Sequence, residues 1–230
     1  MPAEQAVQAT AQQLSYIEWF TKFMIDGGVF MWVIAAVWVV GVVIAFERWY
    51  MYRSYFSDGP SMMGQIKKFV LANQLSEAIQ YSTEDKSLLA HVMKNGLKRA
   101  GQPKDQVQDA LEGTILEVVP HIEKRLSMIS LMANVSTLFG LLGTIQGLIQ
   151  SFARVANADA ADKGRLLAEG IAVAMNTTAL GLISAISLMF VHAYLAGKGE
   201  GMIKQIEENS VKLLDLLGSK KAFGNNDKAA

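Results

Sequence analysis

Two long stretches without a charged residue, both in the second half of the chain, decide its fold. Residues 170–197 read GIAVAMNTTALGLISAISLMFVHAYLAG, and residues 126–153 read LSMISLMANVSTLFGLLGTIQGLIQSFA. A third stretch, residues 27–46, also contains no Asp, Glu, Lys or Arg. A helix needs about 20 apolar residues to cross roughly 30 Å of hydrocarbon. A soluble helix would carry charges on its outer face within two turns, so the sequence predicts three transmembrane helices.

The composition of the chain argues against several classes of protein. The 230 residues are 51% hydrophobic, with a mean hydropathy of +0.24, which is high for a soluble domain. The formal net charge is zero, so nothing favours nucleic-acid binding. With no cysteine and three scattered histidines, the sequence predicts no metal site and no cofactor. It shows no nucleophile–base pair and no phosphate-binding loop, so we expect a protein that is not an enzyme.

The predicted fold class is an all-α membrane protein in which three transmembrane helices carry long helical cytoplasmic extensions. Residues 14–24 are amphipathic and form either an interfacial helix or a frayed extension of the first span. The predicted segments are a periplasmic N-terminus (1–26), the first span with its aromatic and arginine anchor (27–53), a cytoplasmic helical region (54–125), the second span (126–155), a periplasmic loop (156–169), the third span (170–197), and a cytoplasmic C-terminal helix and tail (198–230).

An apolar stripe runs from the cytoplasmic region into the second span without a turn signal. It recurs every three or four residues, at Val107, Leu111, Ile115, Val118, Ile122, Leu126 and Ile129. This period is typical of a helix. The sequence therefore predicts one continuous helix over residues 103–155, kinked at Pro120. At 1.5 Å per residue it would be about 80 Å long and would project beyond the bilayer.

Basic residues near the span ends predict the orientation, because they favour the cytoplasmic side. Most of them lie on one side of the membrane, at the end of the first span, the start of the second and the end of the third: Arg48, Arg53, Lys124, Arg125, Lys198, Lys204 and Lys212. Three bases in the short loop oppose this assignment: Arg154, Lys163 and Arg165. On balance we expect the N-terminus in the periplasm and the C-terminus in the cytoplasm.

Small and hydroxylated residues form one face on each of the last two spans. On the second span they are Thr137, Gly140, Thr144, Gly147 and Ser151; on the third they are Gly170, Ala174, Thr178, Gly181 and Ala185. Such faces let helices pack closely in lipid. They also suit a pore lining or a groove for another helix. Three helices alone should not bury both faces, so we expect a ring of several copies.

The same residues resemble a known family. The run Gly140-Leu-Leu-Gly-Thr-Ile-Gln-Gly147 is similar to the G-L-x-G-T-x-x-G signature of the MotA/TolQ/ExbB proton-channel family. The run Gly170-Ile-Ala-x-Ala-Met-x-Thr-Thr-Ala-x-Gly-Leu182 resembles the last-span signature of that family, and Glu47-Arg48 matches the end of its first span. The resemblance covers residues 27–217.

The resemblance implies a homopentameric, channel-forming subunit of an ion-driven motor in the bacterial inner membrane. Its partner would be an ExbD-, TolR- or MotB-like protein, with one transmembrane helix that carries an ion-binding Asp. Thr144 and Thr178 match the hydroxyls expected opposite that Asp. The residues expected along the pore are Thr144, Thr178, Thr137, Thr177, Gly140, Gly147, Ser151 and Gly181, and those expected to contact the partner helix are Thr144, Thr178, Ala174 and Ala185.

The chain departs from the family pattern at three positions. Thr137 and Ser187 stand where the family usually has Pro, and Val173 stands where many members have Glu. The extra hydroxyls of Thr137, Thr177 and Ser187 would suit sodium, which is bound by oxygen ligands. The family implies a proton as the transported ion, with sodium as the alternative.

Two other functions compete with the motor. A non-motor membrane scaffold would use the small-residue faces only for packing, and it would need no Asp-bearing partner. A membrane enzyme is disfavoured, because Gly-x-x-Gly-Thr in the second span lacks the Lys of a phosphate-binding loop. A neighbouring gene for a small protein whose single span carries an Asp would favour the motor.

Overall fold

Every regular secondary-structure element in the part of the chain that the computed structural model describes is an α-helix. That part comprises residues 18, 21, 23–25, 27–56 and 58–226, with the backbone alone for residues 220–226. Most of the predicted interfacial helix, residues 14–24, lies outside it. The helices are α1 (Val29–Tyr55), α2 (Gly59–Leu71), α3 (Leu75–Glu84), α4 (Leu88–Lys98), α5 (Lys104–Glu123), α6 (Leu126–Ala156) and α7 (Lys163–Asn226).

Three helical segments are long and apolar enough to cross a membrane. They contain α1, α6 and α7, the helices that carry the three uncharged stretches. Only 22% of the most apolar window in the first segment and 28% in each of the other two is buried within the chain. Isolated in water, so much exposed apolar surface would be unfavourable, so these helices need lipid or other protein around them.

The chain divides into two compact units. The first, here called the span unit, comprises residues 1–45 and 128–192. Within it α1 packs closely on α7, because a Cβ atom at Gly41 would lie 2.8 Å from Leu188 Cδ1. The Trp38 indole donates a hydrogen bond of 2.8 Å to the Ser187 hydroxyl. The glycine permits the approach, and the indole bond fixes the pairing of the two helices.

The second unit, here called the extension unit, comprises residues 46–127 and 193–230. Its described helices are α2 to α5, the C-terminal parts of α1 and α7, and the first two residues of α6. The Ser87 hydroxyl caps α4 by accepting from the backbone N–H of Ala90 at 3.1 Å, as expected at a helix N-cap. Fully buried apolar side chains come from four of its helices: Ile66, Val70, Leu97, Ile122 and Leu213.

The prediction of a continuous helix over residues 103–155 is wrong. Helix α5 ends at Glu123, α6 begins at Leu126, and Arg125 between them has a φ of 65°. Pro120 lies inside α5, where it lacks the N–H of a regular helical bond. The chain turns four residues later, not at the proline. The apolar stripe passes through this break unchanged, so periodicity alone could not reveal it.

Side chains of α1 satisfy the carbonyl groups that the break leaves without helical partners. The buried Tyr52 hydroxyl donates to the carbonyl oxygen of Ile122 at 2.8 Å, and Arg48 Nη1 donates to that of His121 at 3.4 Å. Glu47 forms an ion pair with Arg125. A helix end needs such donors when it is not continued.

Helix α7 is longer at both ends than the sequence predicted. It begins at Lys163, so half of the predicted loop over residues 156–169 is helical. It continues through the third span to Asn226 without interruption, although the C-terminal helix and tail over residues 198–230 were predicted as a segment of their own. The exposed ion pair Arg165–Glu169 spans one turn near its start, which stabilises a first turn that apolar periodicity does not mark.

Candidate functional site

The small-residue faces of α6 and α7 pack against each other inside one protomer. A Cβ atom at Gly181 would lie 2.8 Å from the carbonyl oxygen of Ser136 and 2.9 Å from Gly140 Cα. One at Gly147 would lie 2.8 Å from Ala174 Cβ. The two backbones therefore approach so closely that only glycine fits at the crossing, the arrangement that small residues allow in membrane helices.

This packing corrects the reasoning that led from the two faces to a ring. We expected one or both faces to be left open for neighbouring copies, but most of each face packs against the other, and Thr137 alone among the ten residues is exposed. Within the span unit, packing accounts for Gly140, Gly147, Gly181 and Ala174, and Ser151 lies against Gly170. Ala185 is also buried. That these residues line a pore or contact a partner helix stays a prediction.

Thr144 and Thr178 are brought together at the centre of this contact. Their hydroxyl oxygens form a hydrogen bond with each other across the two helices. The Thr178 hydroxyl also donates to the carbonyl oxygen of Gly140 at 3.0 Å. The Thr144 hydroxyl lies 3.2 Å from the same carbonyl oxygen and 3.3 Å from that of Ala174. Both threonines are half-buried, so the pair is neither sealed in the protein nor fully open.

This arrangement leaves hydrogen-bonding capacity for a further group. Each hydroxyl has one hydrogen to donate and two lone pairs to accept with. The two backbone carbonyls can only accept, so they compete for the two hydrogens. The hydrogen bond between the two threonines occupies only one of the four hydroxyl lone pairs. An added carboxyl group could therefore donate to the pair when it is protonated, and accept from it after a hydroxyl rotation when it is ionised.

The additional hydroxyls do not converge on one ion site. Thr177 is buried and donates towards the carbonyl oxygen of Gly27 at 3.4 Å. Ser187 accepts from Trp38 and donates to the carbonyl oxygen of Ser184 at 2.8 Å. Ten residues separate Thr177 from Ser187 on one helix, which corresponds to about 15 Å. Thr137 bonds only within its own helix among the described residues, to the carbonyl oxygen of Ala133 at 3.3 Å.

A polar cavity of about 660 Å³ lies in the span unit, next to the loop that joins α6 to α7. Gln146, Gln150 and Arg154 line it from α6, and Glu169 and Thr177 line it from α7. The sequence analysis did not predict this cavity. The signal was present in the sequence, because residues 146, 150 and 154 are four apart and therefore share a face. The cavity is large and polar enough to hold water.

The cavity also shows the surroundings of Val173, the position where many members of the resembled family have Glu. Val173 lines the cavity, and Glu169 lines it one helical turn earlier. The carboxylate in this lining is therefore that of Glu169, which is exposed at the end of the span and paired with Arg165 at 2.8 Å. Within the described residues no group of three or more His, Cys, Asp or Glu side chains is placed to hold a metal ion.

Comparison with known proteins adds three findings. A family model described as the MotA/TolQ/ExbB proton channel family matches residues 84–208. A putative biopolymer transport protein ExbB homolog of Methanothermobacter thermautotrophicus is 28% identical over 184 residues, which are 79% of this chain and 64% of that protein. Biopolymer transport protein exbB1 of Vibrio cholerae is 32% identical over 113 residues, 49% of this chain and 50% of its own length.

The chain also resembles a solved structure. The structure of C. jejuni MotAB matches with a TM-score of 0.63 and 14% identity, over 93% of this chain and 87% of that one. At this identity the match supports the fold alone. This chain spans between half and two thirds of the length of the two curated relatives named above.

Proposed function

Because this chain belongs to the MotA/TolQ/ExbB proton channel family, we propose that it is the channel-forming stator subunit of a motor driven by the proton motive force. The family assignment confirms the prediction from the two span motifs. It also makes the chain a transport component and not an enzyme. In the proposed function, ion flow through a ring of these subunits drives mechanical work or transfers energy to the cell envelope.

The hydroxyl pair of Thr144 and Thr178 carries this proposal. The two threonines come from different spans, yet their hydroxyls meet and remain half-buried. If helix packing were their only role, smaller residues would serve equally well, as glycine and alanine do elsewhere along the contact. A hydroxyl that can both donate and accept is suited to a carboxyl group that changes its protonation state.

The titratable group has to come from outside this chain. The uncharged stretches of the three spans contain no Asp, Glu, Lys or Arg. A proton relay needs a group that binds and releases the ion within the membrane. An intramembrane carboxylate is costly unless hydrogen-bond donors compensate it. The proposed partner is therefore an ExbD-, TolR- or MotB-like protein whose single transmembrane helix places an Asp beside the threonine pair.

The proposed assembly is a homopentamer around that partner, in the bacterial inner membrane. The large unburied share of the apolar windows supports an assembly or lipid contact on several sides of each span. The proposed orientation places residues 54–125 and the C-terminus in the cytoplasm, because most of the basic residues near the span ends lie on that side. The cavity lined by Gln146, Gln150 and Arg154 would then hold water at the periplasmic end of the path.

The proposed ion is the proton. The family description names a proton channel, and the extra hydroxyls that suggested sodium lie at separate levels of the helices. Sodium remains the alternative, to be distinguished by ion replacement. The relatives named as biopolymer transport proteins support energy transfer to the envelope as the driven process.

Proton flux into proteoliposomes tests the proposal. The chain would be purified with the product of a neighbouring gene that has one Asp-bearing span. A potassium diffusion potential would drive protons into the liposomes, and a pH-sensitive dye inside them would report the resulting acidification. We expect flux from the complex, little flux from the chain alone, and loss of flux when the partner's Asp is replaced by Asn. Equal flux with Asp and Asn would contradict the proposal.

A non-motor scaffold is the second candidate, and one observation favours it. The small-residue faces bury each other within the protomer, which is all that a scaffold requires of them. A stable oligomer that shows no proton flux with any Asp-bearing partner would support the scaffold.

A further inference from the structure

A second cavity, of about 410 Å³, lies in the extension unit between the end of α1 and the middle of α7. Aromatic and apolar side chains form most of its wall: Trp49, Tyr52, Phe56, Leu195 and Met202. Two basic side chains, Arg53 and Lys198, complete it. The lining contains no acidic residue, so the cavity combines an apolar wall with an uncompensated charge of +2.

Neither base is neutralised by the protein. Among the residues that the structure describes, Arg53 and Lys198 form no ion pair, and both are exposed. Both bases lie near aromatic rings instead. The Arg53 guanidinium lies 5.9 Å from the centroid of the Trp49 ring, and the Lys198 ammonium lies 5.7 Å from that of Tyr194. Such cation–π contacts orient a base without cancelling its charge.

The cavity begins where the uncharged part of the spans ends. Lys198 is the first charged residue after the stretch 170–197, and Arg53 follows residue 46 by seven positions, or about 10 Å along a helix. The Trp49 ring also lies 5.7 Å from the ring of exposed Phe46, the last residue of the first uncharged stretch. An aromatic surface therefore leads from the hydrocarbon boundary to the two bases, at the depth where lipid headgroups lie.

We propose that this cavity binds an anionic phospholipid, with the headgroup phosphate between Arg53 and Lys198 and the upper acyl chains against Phe46, Trp49 and Leu195. A guanidinium binds phosphate oxygens in a bidentate manner, and an ammonium adds a point charge. Basic pockets between transmembrane helices bind acidic headgroups by this chemistry. The site is separate from the threonine pair, and it requires no ion flow.

A membrane lipid fits the cavity better than a soluble phosphate or an acidic peptide. A free phosphate would use the two bases but leave the wall of Trp49, Phe56 and Leu195 without a function. An acidic protein segment would have to reach a site bordered by the apolar end of a span. A phospholipid is the one class that supplies a phosphate and hydrocarbon at the same depth.

Native mass spectrometry of the full chain in mild detergent tests the proposal, with titrations of cardiolipin, phosphatidylglycerol and phosphatidylcholine. The variant carries Arg53→Gln and Lys198→Gln. Each base near a membrane surface contributes roughly a fivefold gain in affinity for acidic lipid, so we expect the double variant to bind cardiolipin about 30-fold more weakly. The control carries Lys67→Gln and Lys204→Gln, two exposed bases outside the cavity lining with the same loss of charge, and should bind as the unmodified chain does.

Four outcomes would overturn the proposal. If phosphatidylcholine bound as tightly as cardiolipin, the charge of the headgroup would have no role in binding. If both double variants lost the same affinity for cardiolipin, the net charge of the protein would explain the binding without a specific site. Displacement of the lipid by millimolar inorganic phosphate would identify a soluble anion as the ligand. A double variant that retains lipid but falls apart into single chains would assign the cavity to a contact between copies. Thermal unfolding of each variant, measured beforehand, ensures that the comparison is between folded proteins.

Discussion

Replacement of Gly181 by Ala tests how closely α6 and α7 approach each other. The added Cβ atom would lie 2.8 Å from the carbonyl oxygen of Ser136 and 2.9 Å from Gly140 Cα, whereas ordinary contacts begin at 3.4 Å. Both neighbours are backbone atoms, so no rotamer change can relieve the overlap. The helices would have to separate by roughly 0.5 Å or more, and the bond from Thr178 to the carbonyl oxygen of Gly140 would lengthen.

The expected cost follows from three opposing contributions. Overpacking of a tight contact costs about 1–3 kcal/mol. A weakened interhelical hydrogen bond adds about 0.6 kcal/mol, and the better helix propensity of Ala returns about 1 kcal/mol. The net loss in free energy of unfolding is therefore about 0.6–2.6 kcal/mol. For a chain of this size 1 kcal/mol corresponds to roughly 2–4 °C, so we expect the unfolding temperature to fall by about 1–10 °C.

The assay is thermal unfolding of the purified chain in mild detergent, followed by circular dichroism. Gly201→Ala is the matched control, because Gly201 is exposed on the same helix and a Cβ atom there would meet no other atom within 4 Å. It should unfold at a temperature about 2–4 °C higher, because it gains the helix propensity of Ala without any overlap. Gly140→Ala, whose nearest contact would be 3.2 Å, should cost less than Gly181→Ala. Unfolding of Gly181→Ala at or above the unmodified temperature would refute the close packing.

Three further predictions concern topology, assembly and the break between α5 and α6. Ala72 is exposed in the predicted cytoplasmic region, so a cysteine introduced by Ala72→Cys should not react with a membrane-impermeant thiol reagent in intact cells. A cysteine introduced by Ala160→Cys, in the loop between α6 and α7, should react. The reverse pattern would show that the orientation is inverted. Native mass spectrometry of the complex should show five copies of this chain, and a stable monomer in the presence of its partner would argue against a ring. Tyr52→Phe leaves the carbonyl oxygen of Ile122 without its donor and should lower the free energy of unfolding by about 1–3 kcal/mol, while Tyr50→Phe, at an exposed position on the same helix, should not change it.

The spans and the family could be predicted from sequence because their signals are local. An uncharged stretch of about 20 residues needs no knowledge of its neighbours. The two span motifs placed Thr144 and Thr178 in one site although 34 residues separate them. The structure brings their hydroxyls together, so the motif match located a real contact. The role of that contact on the ion path stays a prediction, which flux measurements test.

The features that sequence reasoning missed depend on residues far apart in the chain. The break at Arg125 is stabilised by Arg48 and Tyr52 of α1, and no pattern within residues 103–155 contains them. The mutual burial of the two small-residue faces was missed for a similar reason, because each face was considered as a surface awaiting a partner. The polar cavity is different: the spacing of Gln146, Gln150 and Arg154 was visible, and its meaning was overlooked.

The central claim is that the Thr144–Thr178 hydroxyl pair serves the transported ion. The direct measurement is proton flux in proteoliposomes at matched complex yield, with Thr, Ser and Val compared at each position. Val keeps the shape of Thr and removes the hydroxyl, and the lost interhelical bond costs only about 0.6 kcal/mol, so the complex should still assemble. We expect both Val variants to lose flux and both Ser variants to retain part of it. Equal flux from Thr and Val at both positions would contradict the claim and leave helix packing as the role of the pair.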